Sequence, residues 1–169
     1  MKMLIRHLLA IAILPFTVTV LVPVWMARRC GVEFTLGRSA GPAVLQLAGL
    51  ALAGLGLLLA AASVRRFATE GKGTLAPWAP PRLFVVKGPY RFVRNPMISG
   101  VILILFGEAS ALRSPCLGAW AASFLVLNLL YIPLVEEPRL EKRFGDSYRE
   151  YCRNVRRFTP RFRPWHPAP

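Results

Sequence analysis

Residues 97–135 read MISGVILILFGEASALRSPCLGAWAASFLVLNLLYIPLV, and this stretch decides the fold. It holds two apolar runs, Met97 to Leu112 and Leu117 to Val135, separated by Arg113 to Cys116. The link is too short to do anything but turn the chain back, and Pro115 in it stops a single helix. The stretch therefore predicts an antiparallel helical hairpin. Two more runs lie upstream. Leu8 to Met26 lacks a charge, and Ala43 to Val64 has one amide, Gln46, as its polar interruption. At 1.5 Å per residue, about 20 residues of helix match a hydrocarbon core of roughly 30 Å. Four membrane spans are expected, at about 8–26, 43–64, 97–112 and 117–135. A signal peptide has an apolar core of only about 7–15 residues, so the first run reads as an uncleaved span.

Composition agrees. The chain has 169 residues, 54% apolar and 18% charged, with a mean hydropathy of +0.45. Soluble domains carry about 25% charged residues. The 22 Lys and Arg against 8 Asp and Glu give +14. Long uncharged runs argue against nucleic-acid binding as the reason for that charge. One membrane domain spanning 1–169, with cationic loops and tails, accounts for both features. Cys30, Cys116 and Cys152 are odd in number and far apart, so neither a disulfide framework nor a zinc site is suggested.

Basic residues set the orientation. The leader, residues 65–96 and the tail from 136 hold 18 of them, and the remaining connections hold 4. Even crossings put the three basic segments on one side. An inner-membrane protein with both termini cytoplasmic is expected.

The chemistry is then expected in two cytoplasmic segments, 74–97 and 136–161. In the first, Pro77, Pro80, Pro81 and Pro89 exclude a long helix. Leu83 to Val86 reads as extended and Lys87-Gly88-Pro89 as a turn. Asn95-Pro96 is an ordinary helix start, and equally a place where free N–H groups attract an anionic ligand group. The second segment opens Glu136-Glu137-Pro138. Pro138 suits the first turn of a new helix, whose dipole favours a carboxylate. Capping explains one carboxylate there better than two. Leu140, Phe144, Tyr148 and Tyr151 then share one face of an amphipathic C-terminal helix, placed either on the membrane surface or over a site. Trp165 reads as an interfacial aromatic and Cys152 as an inert helix residue. Gly56 and Ala60 either allow close helix approach or are plain membrane-helix composition. Glu108 and Asn128 are intramembrane polar groups with either functional or helix-bonding roles.

Together, Gly88-Pro-Tyr-Arg-Phe-Val-Arg-Asn-Pro-Met97 and Glu136-Glu137-Pro-x-Leu-x-x-x-Phe144-Gly145-x-x-Tyr148-x-x-Tyr151 resemble the two motifs of a membrane methyltransferase family. It comprises the isoprenylcysteine carboxyl methyltransferases and the related phospholipid methyltransferases. The resemblance covers residues 74–160. It implies S-adenosylmethionine (SAM) as cofactor, a lipophilic acceptor, and a cytoplasmic pocket roofed by the C-terminal helix. Carried over by position, it implies cofactor contacts from Arg82, Leu83, Phe84, Val85, Tyr90, Asn95, Pro96, Met97, Glu136 and Glu137. Arg94 and nearby N–H groups suit the cofactor carboxylate, and the two glutamates suit its ammonium or ribose. Asn95, Ile98 and Ile132 depart from the His, Tyr and Arg of the prenylcysteine enzymes. Ile132 cannot pair with a substrate carboxylate, which argues against a prenylcysteine acceptor. No G-x-G-x-x-G follows a strand, so no Rossmann site is indicated. His7 and His166 lie near the ends, outside both motifs, and no general base is named. The rival class is a non-enzymatic scaffold or anionic-lipid binder, supported by the +14 charge. The paired carboxylates speak against it.

Overall fold

The computed structural model describes residues 12–32, 40–70 and 86–166, whose regular elements are all helical, with no strand among them. The chain enters through a π-helical run, Ala12–Leu21, that continues as α1 (Val22–Arg29). The first four residues of the expected span at 8–26 lie outside the described residues. Then come α2 (Ala40–Glu70), a 3-10 turn (Gly88–Arg91), α3 (Pro96–Ala111) and α4 (Pro115–Tyr131). A π-helical turn, Ile132–Glu136, joins α4 to α5 (Glu137–Phe144), and α6 (Asp146–Asn154) follows.

Two helices are long and apolar enough to cross a membrane, Gly41–Arg66 and Pro115–Phe144. Pro96–Ala111 is apolar but shorter. The large side chains of the two long helices point outward. Leu47, Leu57, Leu58, Val126, Leu127 and Leu134 are all exposed, as lipid-facing residues must be. The protein is a membrane protein.

The hairpin forms as its sequence predicts, with a tighter link. Pro115 takes the first turn of α4, and the Ser114 hydroxyl caps it by accepting from the Leu117 N–H at 3.3 Å.

The most extensive helix pair is α2 against α3. Small residues face each other along it in antiparallel order. A Cβ on Gly56 would lie 2.5 Å from the Gly100 carbonyl, and one on Gly100 would lie 2.8 Å from the Ala60 nitrogen. One on Gly107 would meet the Gly49 carbonyl at 2.6 Å. Of the two readings of Gly56 and Ala60, the structure selects close approach. In lipid, where apolar burial supplies no drive, such contact is what holds helices together.

α4 is held at both ends of the first helix. The Trp120 indole donates to the Val18 carbonyl at 3.2 Å, and Cys30 is bonded to Cys116. The disulfide corrects the expectation from cysteine spacing. Its two sulfurs are 86 residues apart in sequence, but one ends α1 and the other begins α4. Antiparallel helices bring such positions together regardless of separation. Asn128 also differs from the interhelical role considered for it: its amide donates to the Phe124 carbonyl of its own helix at 2.9 Å. Glu108 leaves one carboxylate oxygen buried with no partner among the described residues.

The amphipathic C-terminal helix is broken in two. Gly145, at φ +56° and ψ −131°, separates α5 from α6 in a conformation that favours glycine. Its apolar face does not lie free on a membrane surface. Tyr148, Tyr151 and Val155 form a buried cluster with Val86, Leu140, Phe144 and Trp165 packed on it. Trp165 is thus part of a small second core, its ring 5.7 Å from that of Tyr151.

Candidate functional site

The first motif begins with a turn. Lys87 is extended and Gly88 sits at φ +57°, which starts the 3-10 turn at Pro89 as the sequence predicts. Arg82, Leu83, Phe84 and Val85 lie outside the described residues. Tyr90 is buried, and its backbone carbonyl accepts a 2.6 Å hydrogen bond from the Tyr151 hydroxyl. Burial pushes the Tyr90 phenol well above its ordinary range, with Tyr151 and then Glu136 adding to the shift. Burial also raises Tyr151, against a smaller opposing effect of Arg94.

Asn95 stands at the N-cap of α3, yet its side chain caps nothing. Its amide reaches only to 3.5 Å from the Arg157 carbonyl. The backbone N–H groups expected to be free near Arg94 and Asn95 are spent. Arg94 donates to the Arg156 carbonyl at 2.9 Å, and Asn95 to that of Arg157 at 3.2 Å. Two bonds run the other way, from the Arg161 N–H to the Phe92 carbonyl and from the Trp165 N–H to the Arg91 carbonyl. Residues 155–165 thus strap across the start of α3. Pro96 has no N–H, so Met97 and Ile98 are the first-turn donors that helix geometry leaves without an intrahelical acceptor. Sequence reasoning missed the strap. Residues 155–165 carry no apolar period; the completely buried Val155 and the packed Trp165 mark where they dock.

The second motif is not a helix start. Glu136 (φ −74°, ψ −51°) and Glu137 (φ −61°, ψ −43°) continue a rod that runs from Pro115 to Phe144. Pro133 lacks the N–H for an ordinary helical bond, and the wide π turn absorbs it. The rod offers no free helix N-terminus at Pro138, so capping explains neither carboxylate.

The two carboxylates differ sharply. Glu137 accepts a fork from Arg157, 2.7 Å from Nε to Oε1 and 2.8 Å from the second nitrogen to Oε2. Arg94 adds a third contact at 3.0 Å. This pairing raises the already high Arg157 pKa further. Arg94 also donates to the Cys152 sulfur, so that cysteine is not an idle helix residue, and the Arg94 Nε is buried with no partner among the described residues. Glu136 is half-buried and has no hydrogen-bond or ion-pair partner among the described residues. His166 is exposed and meets Arg91 at 2.8 Å.

The Arg94–Glu137 contact joins the two motifs directly, 43 positions apart in the chain. The phospholipid methyltransferase family model matches residues 44–147, from α2 through the first motif and the Glu136–Gly145 part of the second to the start of α6.

The chain belongs to the phospholipid methyltransferase family.

Members act as methyltransferases on lipid-related acceptors and typically use SAM. In this chain, α1 and the strap at 155–165 lie outside the matched residues. No curated protein and no solved structure matches the chain.

Proposed function

We propose that this protein transfers the methyl group of SAM to a lipophilic acceptor resident in the membrane, at the cytoplasmic ends of α3 and α4. The observation that carries the reading is the junction of the two motifs at Arg94 and Glu137, beside Glu136, which has no partner among the described residues.

The residues present fit the cofactor. SAM carries an ammonium, a carboxylate, ribose hydroxyls and a sulfonium whose methyl is open to in-line displacement. Glu136 offers an uncommitted acceptor to the ammonium or ribose. The first-turn N–H groups of Met97 and Ile98 suit the carboxylate. Arg82 to Val85, Tyr90, Asn95 and Pro96 complete the proposed lining. The chain's own contribution to the reaction is positioning and exclusion of water. A carboxylate acceptor needs no general base; a protonated amine must first lose its proton.

Four crossings with cytoplasmic termini are part of the proposal. Helices α2, α3 and α4 follow each other in antiparallel contact, and α1 is bonded to α4 by the disulfide. Disulfides persist in oxidising compartments. Cys30 and Cys116 lie at the opposite end of α4 from Glu136, which supports a cytoplasmic pocket independently of the basic residues.

The lateral route follows from the same placement. Asn95 begins α3 and Glu136 ends the apolar part of the α4 rod, so an acceptor can keep its tail in hydrocarbon and lift its head to the methyl. Each buried CH₂ contributes about 0.8 kcal/mol. Ile132 is almost completely buried and apolar, which disfavours the carboxylate of a prenylcysteine terminus. The test offers radiolabelled SAM with aminophospholipids, farnesylcysteine analogues or short soluble acids. Transfer to a lipid acceptor is expected. Preference for the soluble acid rejects the lateral route, faster transfer to farnesylcysteine rejects the exclusion, and no SAM affinity below about 1 mM rejects the enzyme.

A further inference from the structure

We infer that Glu137 is a positioning residue rather than a cofactor ligand: it latches residues 155–165 across the start of α3, and the latched strap shapes the cofactor site. The inference rests on the SAM reading above for its functional half.

The Glu137 carboxylate has little hydrogen-bonding capacity left to give. A carboxylate offers about four lone-pair sites. Arg157 takes one on each oxygen and Arg94 a third. The Glu137 side chain is 16% exposed and that of Arg94 10%, so both charges sit largely out of water and depend on each other. Arg157 is 45% exposed and approaches from the strap. Its planar fork matches the carboxylate in a geometry that lysine does not reproduce.

The clamp bridges three separate pieces of chain. Glu137 belongs to the α4–α5 rod, Arg94 to the turn before α3, and Arg157 to the strap. Where the strap lands, its carbonyls take the N–H groups of Arg94 and Asn95. Those two residues immediately precede Pro96 and Met97 in the proposed site. Release of Arg157 would free the very backbone that fixes how α3 begins. Adjacent carboxylates thus divide the labour: one holds the wall, and its neighbour, without a partner among the described residues, faces the ligand.

Hydrogen exchange on the full-length protein in detergent tests this, read on peptides covering 90–98 and 155–166. Glu137→Gln and Arg157→Ala should each speed exchange in both peptides at least tenfold, and the double variant should be no faster than either single one. Arg157 stands on the exposed strap, so Arg157→Ala keeps the test alive if Glu137→Gln folds poorly. Both variants should also weaken SAM binding, and saturating SAM should slow strap exchange in the wild type but less so in the variants. Glu136→Gln should weaken SAM and leave exchange of the strap unchanged. Wild-type exchange in Glu137→Gln and Arg157→Ala overturns the latch. So does a loss of SAM binding in Glu137→Gln with full affinity in Arg157→Ala, because a ligand contact would act without the strap. A wild-type protein that takes up no SAM defeats the methyltransferase reading alone, and the exchange results still decide the latch.

Discussion

The hydroxyl of Tyr151 donates to the backbone carbonyl of Tyr90 at 2.6 Å, in a buried contact between residues 61 positions apart. The carbonyl belongs to a short 3-10 turn, Gly88–Arg91. The bond fixes the last helix over the first motif, and the ring of Trp165 closes on Tyr151 from the strap.

Tyr151→Phe removes that hydroxyl and with it the buried hydrogen bond to the Tyr90 carbonyl. The cost should be about 0.5–1.5 kcal/mol, felt in the cap formed by α6 and the strap. Limited proteolysis within 145–166 is the measurement. Cleavage at the wild-type rate would show that the bond contributes nothing.

Alkaline pH should open the same cap. Tyr90, Tyr148 and Tyr151 all have phenols raised by burial. Below the unfolded value of about 10, each is neutral in both states and its contribution is fully present. Above it the unfolded chain releases protons first, so stability falls as pH rises toward the folded values. Thermal unfolding followed from pH 8 to 11 should show a declining midpoint above about 10, and a flat profile would contradict the burial of these phenols.

Glu136→Gln should weaken SAM binding roughly 10- to 150-fold, the equivalent of about 1.5–3 kcal/mol for a lost charge-assisted bond. The melting temperature should stay near wild type, because no described partner depends on this carboxylate. Calorimetric titration with SAM and S-adenosylhomocysteine reads the first quantity. Unchanged affinity removes Glu136 from the site.

Gly54 and Gly56 should respond oppositely to alanine. A Cβ at Gly54 meets nothing within 4 Å, whereas one at Gly56 lies 2.5 Å from the Gly100 carbonyl. Gly54→Ala should be neutral or stabilising by up to about 1 kcal/mol. Gly56→Ala should cost about 1–3 kcal/mol by forcing α2 from α3. Equal melting temperatures in detergent would contradict the close crossing.

Thiol labelling checks disulfide and topology together. Unreduced, denatured protein should take one maleimide-polyethylene glycol, on Cys152, and reduced protein three. Cysteines placed at Lys87 and Arg163, in a background lacking the native ones, should be protected from a membrane-impermeant reagent in intact cells, and one at Arg113 should react. Labelling of positions 87 and 163 from opposite sides would remove the shared pocket. Cys30→Ser with Cys116→Ser should lower stability by about 2–4 kcal/mol.

The apolar runs, the hairpin at Pro115, the turn at Gly88 and the family were legible in the sequence alone. Hydropathy, proline and glycine act locally, and two motifs in order are a linear signal. The division between Glu136 and Glu137 was not legible. The two are neighbours of identical chemistry, and only the arrival of Arg94 and Arg157 from elsewhere in the chain distinguishes them. The Cys30–Cys116 bond was equally hidden, because antiparallel packing decides which distant residues become adjacent. The strap was hidden for a third reason. It docks through backbone N–H and C=O groups, which every residue but proline carries alike, so no side-chain pattern announces it. Sequence determined which segments are apolar helices and which family the chain belongs to; tertiary structure decided which charges are committed, since pairing depends on distances that chain order does not contain.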